Sequence, residues 1–359
     1  MKKLNIMIIS PSLTGGHGSG GGVAIITKSI LSLFKQDIKY SLSYIEARGG
    51  YLKLFIPFFL FKGFLKIIIY KLINKIDLAH VHIANKGSVF RKILFSELLS
   101  LLNIPYIFHL HNDKEIYLKL SPWIKSLVIR NFNKASKIIV LGELWKKTLI
   151  RKMNLPNKKI EVLRNTTQPL ILNTKKNKKN DFIKILFIGK ICKEKGAYDL
   201  ISVLNNIKNI KNWSAILAGD GDVKETKIIL IKQNIDHRVK ILGWVNPIKS
   251  HKLLIESDIL ILPSYAENLP ISVIEGMSYK LPIITTSVGV ITEIIKNNKT
   301  GIIIKPGDTK ALTINLKRLI NLPKLRFKLG KAAQQYYKSN LSFKVYKKKL
   351  KDIWQDSIK

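Results

Sequence analysis

Residues 259–304 read ILILPSYAENLPISVIEGMSYKLPIITTSVGVITEIIKNNKTGIII. Ile259 to Leu262 is a short apolar run, the length of a buried strand. Pro263 and Ser264 close it, because proline cannot donate to a strand ladder. Tyr265 to Leu269 reads as a loop and carries Glu267. Pro270 suits the first turn of a helix, where its fixed φ is helical and its missing N–H is not needed. Glu275 falls inside that helix, and a second apolar run, Pro282 to Thr286, ends in a turn at Ser287 to Gly289. Strand, loop, helix, strand is the repeating unit of a parallel sheet, and such sheets bind ligands beyond the carboxyl ends of their strands. Glu267 lies at that rim, and Glu275, eight positions on, can face the same crevice. A carboxylate accepts two hydroxyls at once, so it suits the vicinal diol of a ribose or a sugar. The helix N-terminus suits a phosphate. Diol readers beside an anion socket describe a nucleotide-sugar site; the bland alternative is two solvated surface glutamates.

The segment before it has the same form. Ile183 to Ile188 is a strand, followed by GKICKEKGAYDLISVL at 189–204. Lys190 and Lys195, five residues apart in a loop bounded by Gly189 and Gly196, can clamp a diphosphate; the alternative is two ordinary surface lysines. Ser214 to Ala218 is a strand ending in GDGD, where Asp220-Gly221-Asp222 has the form of a metal motif but reads better as a tight turn. Val239 to Val245 is a further strand, whose Gly243-Trp244 end can approach a nucleotide base. Residues 250–258 form an amphipathic helix, Thr300 to Pro306 the final strand, and 308–321, 324–338 and 342–357 Lys-rich helices.

The first half also alternates strand and helix. Leu4 to Ile9 is a buried strand, and glycines 15, 16, 18, 20, 21 and 22 form a loop before a helix that begins near Val23. Glycine lets backbone N–H groups approach a ligand closely; a simple linker is the alternative. Residues 51–73, YLKLFIPFFLFKGFLKIIIYKLI, are apolar but interrupted by Lys53, Lys62, Lys66 and Lys71, and Pro57 is expected to break any single helix there. The segment reads either as a core helix or as a basic, aromatic-bearing surface on an anionic membrane. Ile76 to Ile83 and Tyr106 to Leu110 are strands marked by His80 and His82, then His109 and His111. Alternation puts each pair on one face. Four imidazoles can bind zinc, but no acids or cysteines accompany them, and packing is the favoured reading. Asn112 and Asp113 lie at the rim without an assigned role. Ser136 to Leu141 and EVLRN at 161–165 are strands, and the polar run NTKKNKKND at 173–181 reads as a linker.

The chain has 359 residues, room for two domains. Lys and Arg number 62 against 23 Asp and Glu, a net charge of +39, which calls for an anionic partner: nucleic acid, acidic lipid or phosphorylated substrates. Cys192 is the only cysteine, which excludes an intramolecular disulfide or a cysteine zinc site and fits a reducing compartment. The apolar run after Met1-Lys2-Lys3 is short for a signal peptide, and the sequence has no uncharged apolar stretch of spanning length.

The stretch PSYAENLPISVIEGMSYKLPIITTSVGVITEI resembles the Glu-x7-Glu segment of retaining glycosyltransferase family 4, with Asn268 where that family usually has Gly. Gly21-Gly22 before VAIITKSIL resembles its amino-terminal glycine loop. His111 in PYIFHLHND resembles its donor-facing histidine, Asn165 an asparagine of its domain-crossing segment, and Lys195 the Lys of its EKG motif. Lys190 stands where the family usually has Arg, a point charge in place of a two-pronged fork. The resemblance implies an α/β GT-B fold, two doubly wound Rossmann-like parallel-sheet domains facing each other across a cleft. The expected boundaries are 1–172 for the acceptor side, 173–181 for the linker, 182–338 for the donor domain, and 339–359 for a last helix crossing back to the first domain. It implies transfer of a sugar from a nucleotide diphosphate to a hydroxyl, with retention and with neither metal nor cofactor. Lys190 and Lys195 are expected to stabilise the diphosphate, Glu267 and His111 to flank the sugar, and Glu275 to hold the ribose. Gly21, Gly22, Asn268, Leu269, Pro270 and Gly243 complete the donor contacts. By analogy the setting is capsule, O-antigen or exopolysaccharide synthesis, on a saccharide or lipid-linked acceptor at the inner, cytoplasmic face of an anionic membrane. The rivals are a sugar-nucleotide epimerase on the same fold and a basic nucleic-acid-binding protein, for which the sequence carries no motif.

Overall fold

The computed structural model describes residues 3–13, 21–48, 55–84, 86–112, 115–170 and 182–358. Two compact units emerge: Met1–Asn165 with Phe343–Lys359, and Thr166–Ser342. The linker expected at 173–181 lies outside the described residues.

In the first unit the strands are β1 (Leu4–Ser10), β2 (Tyr40–Glu46), β3 (Leu78–Ile83), β4 (Tyr106–Leu110), β5 (Lys137–Val140) and β6 (Ile160–Val162). The helices are α1 (Gly21–Phe34), α2 (Ile56–Leu72), α3 (Lys86–Leu101), α4 (Glu115–Leu118), α5 (Pro122–Lys134) and α6 (Glu143–Met153). The sheet runs β2-β1-β3-β4-β5-β6, and every pairing is parallel. A parallel sheet is covered on both faces, which is why LAHVHI is buried at every position, histidines included. Strand β2 escapes sequence reading because YSLSYIE alternates serine with apolar residues and is only part-buried, as befits an edge. Pro57 does not break a helix. It sits in the first turn of α2, the one place a helix tolerates it. Further along, a Cβ on Gly63 would lie 2.7 Å from the Phe95 ring, so α2 presses closely on α3.

The second unit contains β7 (Ile183–Ile188), β8 (Trp213–Ala218), β9 (Val239–Gly243), β10 (Ile259–Leu262), β11 (Ile283–Thr286) and β12 (Ile302–Ile304). Its helices are α7 (Ala197–Asn206), α8 (Val223–Lys232), α9 (Pro247–Glu256), α10 (Ile271–Ser278), α11 (Ile291–Ile294), α12 (Thr309–Asn321) and α13 (Pro323–Asn340). The order is β12-β11-β10-β7-β8-β9, again parallel throughout. Counted from β7 this is the 3-2-1-4-5-6 order of doubly wound sheets, and it reverses between β7 and β10.

The division between units falls at 165/166, not at 172. Residues 166–170 bond into the second unit: Thr166 Oγ1 donates to Leu341 O at 2.6 Å, Tyr337 Oη to Thr167 O at 2.7 Å, and Leu170 N to Tyr279 Oη at 2.8 Å. The last helix, α14 (Phe343–Ile358), belongs with the first unit. Trp354 packs on Phe34 with centroids 4.7 Å apart, and Lys347 and Lys351 reach Asp37 Oδ2 at 3.0 and 2.8 Å. Residues 339–342 stay with the second unit because α13 runs to Asn340. No described helix is long and apolar enough to cross a membrane.

Candidate functional site

In the second unit the strand order reverses between β7 and β10, the position at which such sheets take ligands, and the loops that leave those two strands carry Lys195 and Glu267. Lys195 ends a single 3-10 turn, Lys193–Lys195. Gly196 follows with φ +71°, and a Cβ there would lie 2.2 Å from Pro263 O, so the β7 loop seats directly on the β10 loop. Tyr265 N donates to Glu194 O at 2.8 Å across the same seam. The result is an ion pair: Lys195 Nζ lies 2.7 Å from Glu267 Oε1 and also donates to Ala266 O at 3.2 Å. Ser264 Oγ donates to the same carboxylate oxygen at 3.2 Å. An ammonium has three donors, and two are used within the protein. Burial raises the Glu267 pKa, against the opposing pull of the Lys195 charge.

Glu275 sits in the second turn of α10, only 9 % exposed. Burial alone pushes its carboxyl up to about 7, because a buried carboxylate without compensating donors disfavours its charged form. Hydroxyls donating to it would reverse that preference. Leu269 is buried beneath the loop, and Pro270 occupies the cap position of α10 rather than its first turn. Asn268 O accepts from Val290 N at 3.0 Å. A Cβ on Gly289, at φ +56°, would lie 2.2 Å from Glu267 O and 2.4 Å from Asn268 O. The turn after β11 thus backs the Glu267 loop, a contact the sequence reading did not assign, although the turn itself was legible. Gly289→Ala is expected to destabilise the protein by at least about 2 kcal/mol and to weaken donor binding. Thermal unfolding with a donor titration checks both, and unchanged affinity would show that the loop tolerates displacement.

Lys190 is exposed, with Cγ 3.2 Å from the place a Gly221 Cβ would take. Ile191 and Gly221 form an isolated bridge, Ile191 N donating to Asp220 O at 2.6 Å and Asp222 N to Ile191 O at 2.8 Å. The GDGD segment is therefore a turn stitched to the lysine loop, and Asp222 Oδ2 accepts from Tyr198 Oη at 2.9 Å. Gly243, at φ +69°, ends β9 and accepts from Gly219 N at 2.8 Å, beside the half-exposed Trp244.

In the first unit Gly21 and Gly22 open α1, and a Cβ on Gly21 would meet nothing within 4 Å. Residues 14–20 and Asp113 lie outside the described residues. His111 follows β4, its N–H donating to Ile83 O at 2.9 Å and its Nε2 lying 2.8 Å from His82 Nδ1. His80 Nε2 lies 3.2 Å from His109 Nδ1, and His80 Nδ1 accepts from Trp354 Nε1 at 3.3 Å. The ligand-type nitrogens of His80, His82 and His109 fall within 4.8 Å of one another. Both nitrogens of His80 are engaged, and the buried Nε2 atoms of His82 and His109 have no hydrogen-bond partner among the described residues. Burial lowers His80 and His111 to about 3, and His82 and His109 well below the ordinary range, so all four rings are held neutral.

Two family profiles match the chain: Glycosyltransferase Family 4 over residues 30–168 and Glycosyl transferases group 1 over 171–336. An uncharacterized glycosyltransferase of Methanocaldococcus jannaschii is 24% identical over 267 residues, 69% of this chain and 67% of that one. The capsular polysaccharide biosynthesis glycosyltransferase CapM of Staphylococcus aureus is 25% identical over 241 residues, 65% of this chain and 59% of CapM. Among solved structures, Anabaena HepE in complex with UDP and glucose superposes with a TM-score of 0.73 at 16% identity, covering 98% of this chain and 99% of HepE, a likeness of fold. With one profile taking up almost where the other stops, and with both sheets matching GT-B neighbours, the chain belongs to glycosyltransferase family 4 and has the GT-B fold.

Proposed function

We propose that the chain moves a sugar from a nucleotide-diphosphate donor to a hydroxyl of a lipid-linked saccharide, with retention of anomeric configuration and without a metal. The setting proposed is surface-polysaccharide assembly at the inner face of the cytoplasmic membrane. The observation that carries the donor is the Lys195–Glu267 pair at the switch point of the second sheet, with Glu275 buried on the next helix. In the reaction the anomeric carbon's bond to the diphosphate breaks as its bond to the acceptor oxygen forms, and the hydroxyl proton passes to the leaving diphosphate. Charge gathers on the leaving diphosphate, where preorganised cations are most effective. Lys195 supplies its remaining donor there and Lys190 a second charge. Glu267, anchored by Lys195 and Ser264, accepts a sugar hydroxyl, and Glu275 accepts the ribose diol. His111, neutral and oriented by His82, is assigned to the sugar. Relatives in capsule synthesis and a neighbour crystallised with UDP and glucose support this reading.

The membrane rests on α2. Phe58, Phe61, Leu65, Ile68 and Leu72 are exposed along one side, Phe61 by 68 %, while Gly63 and Ile67 face inward. Lys62 and Lys71 flank that apolar stripe, the pattern of a helix lying in an anionic interface. The test is transfer of labelled sugar from a panel of sugar nucleotides to a lipid-linked acceptor in phosphatidylglycerol vesicles. A labelled lipid product is expected, and Phe61→Glu/Leu65→Glu should release the protein from the vesicles and cut transfer while leaving donor binding intact. Isomerised free sugar nucleotide without product would establish the epimerase instead.

A further inference from the structure

One lysine stands on the core-facing side of α3, where the helix otherwise buries Val89, Ile93, Phe95 and Leu99. Lys92 is 1 % exposed, and its Nζ has no hydrogen-bond partner among the described residues. The Phe95 ring lies 5.5 Å from it. A buried ammonium without a counter-ion is strongly destabilising, and burial accordingly lowers its pKa well below the lysine range. A methionine would fill the same place without that penalty.

Two more cations share the neighbourhood. The buried Nε of Arg91 has no partner among the described residues, and its pKa is depressed by burial and by the charge of Arg48. Arg91 in turn depresses Lys92, and Lys92 acts on His82. Topology says where they gather. Arg48 follows β2 and α3 follows β3, so both stand at the carboxyl edge of the first sheet. Helical side chains lean toward their own N-terminus, which turns Lys92 toward that edge. The strand order reverses between β1 and β3 there, the position at which such sheets take ligands.

We propose that Lys92, Arg91 and Arg48 form an anion site at the carboxyl edge of the first sheet, built for the phosphate or diphosphate of the acceptor. Naming the acceptor rests on the function proposed above; the anion site itself does not. Helix α2 packs on α3 beside Lys92, Phe64 and Phe95 stacking edge to face at 5.0 Å. An amphiphile whose chain follows α2 would bring its phosphate to these cations.

The test uses calorimetric binding of inorganic pyrophosphate at about 0.3 M KCl, where diffuse surface charge is screened. Lys190→Gln/Lys195→Gln removes the donor-side cations and should leave one pyrophosphate site. Adding Lys92→Met should lower that affinity at least about tenfold, since charge-assisted bonds are lost, and raise the thermal midpoint in the absence of ligand. Arg91→Gln should weaken binding without raising the midpoint as far. Tighter binding of farnesyl diphosphate than of pyrophosphate assigns the site to a lipid-linked group, and equal binding assigns it to free phosphates. Unchanged pyrophosphate affinity in Lys92→Met, or a lowered midpoint, would overturn the site. Failure of sugar transfer would leave this result standing, so the two readings fail separately.

Discussion

Lys195→Met is expected to lower kcat/KM for the donor by about a hundredfold to a thousandfold, the usual loss when one donor aimed at developing charge is removed. Two effects combine. The ammonium is 2.7 Å from Glu267 Oε1 and partly buried with it. Removing it takes a cation from the leaving diphosphate and also strands a buried carboxylate, which is costly in its own right. Glu267 would then be protonated more readily and would lose its value as an acceptor. The double variant Lys195→Met/Glu267→Gln separates the effects, because it removes the stranded charge. If Lys195 served only to anchor the loop, the double variant would turn over as fast as Glu267→Gln alone. If it stabilises the leaving group, the double variant stays as slow as Lys195→Met. Steady-state rates for the three variants, with circular dichroism to confirm folding, decide between them, and near wild-type turnover in Lys195→Met would remove it from the site.

Acid should loosen the first unit selectively. His80, His82, His109 and His111 all have folded-state pKa values far below the ordinary 6.5, with His80 and His111 at about 3. As pH falls below 6.5 the unfolded chain binds protons that the folded chain refuses, so stability is full above 6.5 and declines toward 3. At pH 5.5, one unit below the ordinary value, each ring that stays neutral costs roughly 1 kcal/mol. The four together cost several kcal/mol, a large part of the whole stability of an ordinary domain. Glu275 and Glu267 act in the opposite sense, since their raised pKa values favour folding at lower pH. Hydrogen exchange at the amides of β3 and β4 isolates the effect, because those strands carry three of the four rings and His111 follows β4 directly. Protection there should drop steeply from pH 7.5 to 5.5, after correction for intrinsic exchange. His109→Gln should flatten the dependence by one proton's share. A flat profile in the wild type would mean that the rings are not held neutral by burial.

Much of the fold was legible in local chemistry. The strand before Pro263, the helix after Pro270 and the strand after Pro282 are bounded by residues that cannot continue the preceding ladder. Where local chemistry was ambiguous, reading failed. The alternating serines of β2 look like loop, and Pro57 looks like a breaker until the start of α2 is known. The end of the first unit at Asn165 depends on what Thr166 and Thr167 bond to, and their partners lie 175 and 170 residues away. Lys92 reads as one more lysine in a lysine-rich chain, and only its place on α3 shows that it is buried.

By itself the sequence determined two alternating strand–helix halves, their parallel sheets, and the glutamates and lysines at the carboxyl ends of β7 and β10. These follow from apolar period, turn residues and proline placement, forces that act over a few residues. Tertiary structure alone decided that Lys195 and Glu267, 72 residues apart, form one ion pair, that α14 packs with the first unit, and that Lys92 is buried on α3 with no hydrogen-bond partner among the described residues. Those pairings depend on which strands become neighbours, and strand order is settled by the packing of the whole sheet.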